Sequence, residues 1–205
     1  MQLLTGASAS ESSGDMTLAT GNGADFSGKM DLIAGTGGAG NSGIITLSTS
    51  TATAGRAGSI YVKSGSGNSG SGGEVVLSAG ATTGAGGLAG GRVQIWSGTS
   101  AVTSSGSIAI QTPNGGTGGM TGMIVMSTGA GTSGNSGAFY IGSGTAIGGR
   151  GGSVYVTSGD GTSGNGGEIV LSAGSTSGSG TTGGRVLISS GHSTVKSAGE
   201  VVILT

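Results

Sequence analysis

His192 is the only histidine in this 205-residue chain, and so the first residue to weigh as a general base. Its counterparts one and two repeats of the longer period earlier are Thr99 and Ala7, and no acidic partner accompanies it. A base present in one copy alone, with nothing to orient it, reads as an exposed loop residue. Serine and threonine are abundant, but no motif that would activate a hydroxyl surrounds any of them. The run Gly65-Ser66-Gly67-Asn68-Ser69-Gly70 has the G-x-G-x-x-G spacing of a phosphate cradle. That chemistry needs the loop to open a helix, and no helical apolar period follows. A calcium-binding solenoid needs an aspartate recurring in each coil, whereas Asp160 stands where Ser66 stands one unit earlier. Trp96 offers a face that can stack on sugar or sit in a subunit contact. Asn41-Ser42-Gly43, Asn68-Ser69-Gly70 and Asn135-Ser136-Gly137 all fail the N-glycosylation pattern. The expectation is a protein without catalytic residues, cofactor or metal site, and not an enzyme.

Charge excludes further classes. Seven Lys and Arg against eight Asp and Glu leave a net charge of −1. Nucleic-acid binding needs clustered cations, which are absent. No apolar run is long enough to span a bilayer, and the opening Met1-Gln2-Leu3-Leu4-Thr5-Gly6 lacks the basic start of a signal peptide. Without cysteine there are no disulfides.

What must position any site is a repeat. Strand-like openings occur at MQLLTG (1), MTLATG (16), MDLIAG (30), ITLSTS (45), IYVKSG (60), VVLSAG (75) and VQIWSG (93). They continue at IAIQTP (108), IVMSTG (124), FYIGSG (139), VYVTSG (154), IVLSAG (169), VLISSG (186) and VVILT (201). These are about fourteen copies, roughly 14–18 residues apart. Counting from the first residue of each copy, positions one and three are large and apolar, position five is always small, and position six is nearly always glycine. Period two over five residues reads as a strand with positions one, three and five on one face. Large, large, small, then glycine reads as a strand against a thin core, followed by a corner.

A longer period overlies this one. Residues 45–80 match 139–174, and MQLLTGASASESSGD at 1 matches VQIWSGTSAVTSSGS at 93 and VLISSGHSTVKSAGE at 186. Six repeats thus form one unit: 1–92, then 93–185, with a third begun at 186–205. The chain starts in phase and stops on a strand without polar caps, which predicts an excerpt of a longer array or ends that stack on other subunits.

The residue before position one alternates in sign: Asp15 then Lys29, Glu74 then Arg92, and Glu168, Arg185, Glu200. Parallel strands about 4.8 Å apart would make these neighbours. The expected fold is therefore all-β: a parallel β-solenoid (β-helix) of about fourteen coils, roughly fifteen residues each. Each coil would hold one apolar strand and a glycine-rich return path, with those charges as inter-coil ion pairs. Tyr140, Tyr155, Val170, Leu187 and Val202 at position two, with Trp96 at position four, would face outward and mark an interface.

The strings GGEVVLSAG, GGRVQIWSG, GSGNSGSGGE and SSGSIAIQT on a fifteen-residue beat resemble glycine-, serine- and threonine-rich tandem-repeat proteins of diatoms and other marine algae. The resemblance spans the chain and implies extended, extracellular repeat proteins with no assigned activity. The expected function is a self-associating structural module of an extracellular fibre, sheath or cell-surface protein. Two alternatives are an ice-binding solenoid and a viral or phage fibre or adhesin whose loops at 81–92 and 175–185 meet a receptor or glycan. The partners are self, or glycans or ice, with neither nucleic acid nor a membrane span.

Overall fold

The computed structural model describes residues 2–8, 12–84 and 86–204. Among them there is no helix and no strand, only open backbone punctuated by bends and turns. This overturns the β-solenoid. Stacked coils of about fifteen residues need backbone hydrogen bonds between residues about fifteen apart. The bonds that form, such as Gly43 to Gly35 and Gly91 to Gly80, close much shorter stretches, eleven residues at most. Among the described residues no side chain is buried, so the thin core is absent as well.

The apolar period is nonetheless visible in the backbone. Within the copy at 139, Phe139 is 53% exposed, Tyr140 91% and Ile141 67%. Alternation with period two is what an extended chain produces. Backbone φ is positive only at Gly87, Gly118, Gly148 and Gly180 among the described residues, all in the loops between copies. The strand pattern therefore gives extended segments, and among the described residues no backbone hydrogen bond joins one segment to another.

Two compact units make up the chain, Met1–Ile108 and Ala109–Thr205. The division falls inside the copy at 108 rather than at residue 92. Each unit is built in one way, from extended segments separated by loops that are pinched shut at their base. In the first unit the amides of Gly43, Gly73, Gly91 and Gly106 donate to the carbonyls of Gly35, Gly65, Gly80 and Gly98 at 2.8–3.0 Å. In the second, Gly167, Gly184 and Gly199 donate to Gly159, Gly174 and Gly191, each at 2.9 Å.

Total accessible surface decides what such a chain is. It is 20122 Å² for 18.8 kDa, where a compact monomer of that mass exposes about 8,300 Å² and an unfolded chain about 27,000 Å². Only about a quarter of the unfolded surface is hidden, against about 70% for an ordinary domain of this size. What order the chain has resides in local closures.

Candidate self-association surface

The pinched base of each loop, its neck, has a fixed composition. Where the backbone bond forms, the acceptor is the glycine at position six. The donor is always the residue two before the next position one, and that residue is glycine at every junction: 14, 28, 43, 58, 73, 91, 106, 122, 137, 152, 167, 184 and 199. We term it the closing glycine. It packs against the side chain at position five. A Cβ placed on Gly28, Gly58 or Gly152 would lie 3.0–3.1 Å from the Cβ of Thr20, Thr49 or Ser143, closer than carbon atoms tolerate without movement. On Gly73 it would run into the Ser64 hydroxyl. This close approach explains two sequence facts together: position five is always small, and its partner has no side chain.

A second bond closes several necks. The position-five hydroxyls of Thr20, Thr49, Thr112, Ser143 and Ser158 donate to the carbonyls of the closing glycines Gly28, Gly58, Gly122, Gly152 and Gly167 at 2.8–3.2 Å. Thr49 and Thr112 precede Ser50 and Pro113, the two junctions where position six is not glycine. At the necks of Gly28, Gly58, Gly122 and Gly152 this hydroxyl bond stands without the backbone bond, whether position six is glycine, as at Gly21 and Gly144, or not.

The necks remove the variable residues from the path of the chain. From each closing glycine to the following position six is always seven residues, as from Gly73 to Gly80 and Gly91 to Gly98. Within the loops the span runs from seven, Gly21 to Gly28, to eleven, Gly80 to Gly91. The uneven spacing of the copies is thus confined to the loops, and the spine between necks keeps a constant length.

Loops differ in kind with the residue at position eight. Glycine there, as at Gly23, Gly37, Gly67, Gly115, Gly131 and Gly161, lies under a carbonyl of the loop that a Cβ would strike. Ala stands there at 52 and 146, and where Ser or Thr stands there a hydroxyl organises the turn. Ser100 Oγ accepts the Thr103 amide at 3.0 Å, Ser193 Oγ accepts the Lys196 amide at 2.9 Å, and Thr176 Oγ1 lies 2.8 Å from Thr181 Oγ1. From the first copy, position eight reads Ser, Gly, Gly, Ala, Gly, Thr, and then the same six again. Loop geometry thus follows the six-repeat order. Position eight and the closing glycine were both readable in the sequence as fixed offsets from position one, but 52 glycines hide a constant one among many.

The predicted site residues all lie in the open. Tyr140, Tyr155, Val170, Leu187, Val202 and Trp96 are exposed, but so are positions one and three. Position one is consistently the most shielded of the three, reaching 45% exposure at Ile124. The distinction between inner and outer faces is therefore one of degree. Of the expected inter-coil pairs none forms: the single ion pair among the described residues joins Lys29 Nζ to Asp31 Oδ2 at 2.7 Å, within one segment. Asp15, Glu74, Arg92, Glu168, Arg185 and Glu200 project without an ionic partner from their own chain. His192 lies in the loop before the neck at Gly199. Among the described residues there is no pocket, no group of side chains that could hold a metal ion, and no helix long and apolar enough to cross a membrane.

What the arrangement offers is a repeated surface. Each segment presents three consecutive large side chains in most copies, for example Val75-Val76-Leu77 and Ile169-Val170-Leu171. Among the described residues, the backbone amides and carbonyls of positions one to three make no hydrogen bond within the chain. Apolar side chains on unpaired extended backbone are the ingredients of an open strand edge, here on both sides of the segment. No family model, curated protein or solved structure matches this chain.

Proposed function

We propose that this chain is a structural repeat module that works by self-association, as part of an extracellular fibre, sheath or cell-surface coat. One observation carries the reading: among the described residues, the repeats leave their large apolar side chains exposed and the backbone of positions one to three without hydrogen bonds. Composition argues against a chain meant to stay unfolded, since mean hydropathy is +0.19 and only 7% of residues are charged. Monomers rarely expose contiguous apolar surface on this scale, and a repeated patch of it marks an interface. Placement outside the cell follows from the resemblance to algal repeat proteins. Sedimentation and electron microscopy of the purified chain test the reading. Oligomers or filaments that form as concentration rises are expected, together with a β-type circular dichroism signal. A monomer that persists at high concentration overturns it.

The long loops support a second reading, display to a receptor or glycan. Residues 81–90 and 175–183 are the longest of the loops between copies. Glycan binding that is lost when these loops are exchanged for the shorter loop 66–72 would establish it. Ice binding gains no such support. The hydroxyls that would form a ladder at position five are engaged at Thr20, Thr49, Thr112, Ser143 and Ser158 by glycine carbonyls.

A further inference from the structure

We infer that the partner of each extended segment is a segment of a second copy of this chain, lying parallel to it and offset by one repeat. The inference rests on the self-association reading and adds the register. Three observations carry it.

The first is the state of the charges before position one. Asp15, Glu74, Arg92, Glu168, Arg185 and Glu200 have no ionic partner within the chain. In a parallel pair with no offset, each would face its own copy, Glu74 against Glu74 and Arg92 against Arg92. An offset of one six-repeat unit fares no better, since it sets Glu74 against Glu168 and Arg92 against Arg185. Like charges directly opposite one another destabilise a sheet. An offset of one repeat instead brings Glu74 to Arg92, Glu168 to Arg185 and Arg185 to Glu200, and Asp15 to Lys29, which within its own chain pairs with Asp31. Among these registers it alone sets no like charges opposite one another. It also sets Tyr140 across from Tyr155, both at position two.

The second is the constant spine. A register offset by one repeat survives along the array only if consecutive segments have equal length. Glycine recurs at fixed offsets on either side of position one, two places before it at every junction and five places after it except at Ser50 and Pro113, whatever the loop length. The necks, such as Gly65 with Gly73 and Gly80 with Gly91, keep the long loops from spoiling the match.

The third is unfilled bonding capacity. Among the described residues, positions one to three have free amides and carbonyls on both edges of the segment. Pairing with another chain satisfies them in a regular ladder and covers the most uniform apolar position, position one, at the same time.

The chain contains no cysteine, so introduced thiols report register without background. Thr157 and Ser172 occupy position four in consecutive copies. Chains bearing Thr157→Cys and chains bearing Ser172→Cys are mixed, assembled and oxidised gently. The expected result is a covalent dimer in the mixture and none from either variant alone, because paired strands bring the two Cα atoms within disulfide range. Homodimers from each variant alone would mean zero offset and would overturn the inference. Absence of any cross-link in a sample that still sediments as an assembly would overturn it too, while leaving self-association standing. If the unmodified chain does not associate at all, both readings fall. A charge exchange gives a second measurement. Glu74→Arg alone should weaken association several-fold, and adding Arg92→Glu should recover it. With no offset the single change merely replaces one like-charge contact by another, so an unchanged Glu74→Arg assembly overturns the inference.

Discussion

The amide of Gly73 donates to the carbonyl of Gly65 at 3.0 Å, and between them seven residues leave the path of the chain and return to it. This bond recurs at the base of loop after loop, always between position six and the closing glycine. It makes the protein a series of equal extended segments rather than a coil.

Enlarging a closing glycine should open its neck. Gly152→Val places carbon where Ser143 Cβ already lies 3.0 Å away, whereas a Cβ at Gly144 meets nothing within 4 Å. Arg150 sits in the loop that this neck closes. Trypsin should therefore cut after Arg150 faster in Gly152→Val and at the original rate in Gly144→Ala. Equal rates for all three proteins would show that the close approach imposes no constraint.

Removing a position-five hydroxyl should matter most where it acts without the backbone bond. Thr49 Oγ1 donates to the Gly58 carbonyl at 3.2 Å, and position six of that neck is Ser50. Ser158 Oγ donates to Gly167 at 2.9 Å, but there the Gly167 amide also reaches Gly159. A hydrogen bond is worth about 0.5–1.5 kcal/mol net, so Thr49→Val should raise cleavage after Arg56 by about two- to tenfold. Ser158→Ala should change amide exchange at Gly167 by less than twofold to threefold, roughly the low end of that range.

Insertions should be tolerated in loops and not in the spine. Loops already range from the short one closed by Gly28 to the long one closed by Gly91. Three residues added after Thr83 should leave association, read by sedimentation velocity, unchanged. One residue added between Leu77 and Ser78 shifts every following side chain of that segment to the opposite face. Association should then weaken measurably; if it does not, register is not what holds the chains together.

Position one should contribute to association in proportion to its apolar area. Ile60 and Ile124 are about half exposed in the single chain, so the uncovered half of each is what a partner removes from water. At about 25 cal/mol per Å², that is about 1 kcal/mol per side chain, or about fivefold in the dissociation constant. Ile60→Ser and Ile124→Ser should each shift the association midpoint by that factor, and His192→Ala should leave it unmoved.

The sequence displayed the segments clearly and their partners not at all. Alternation at Val154, Tyr155 and Val156 specifies an extended chain, because side-chain direction depends only on the local backbone. It says nothing of which chain lies alongside. Glu74 and Arg92 have the right sign to be neighbours in a stacked coil, and the same pattern serves two chains slipped by one repeat. The solenoid was the wrong choice between arrangements of equal period. The neck was also written in the sequence, as a glycine two places before each position one, but only the approach of Gly28 to Thr20 gave that glycine a reason to be constant.

The bonds at the necks also bear on how such a chain responds to tension. Most loops are slack held in reserve by one or two hydrogen bonds, and a pull along the backbone loads those bonds first. Breaking the one between Gly80 and Gly91 would pay out roughly 35 Å of contour, at about 3.4 Å per residue, before any extended segment is disturbed. Release of the load lets the glycines meet again. A strand made this way lengthens in small reversible increments and absorbs work at each, as a shock absorber does.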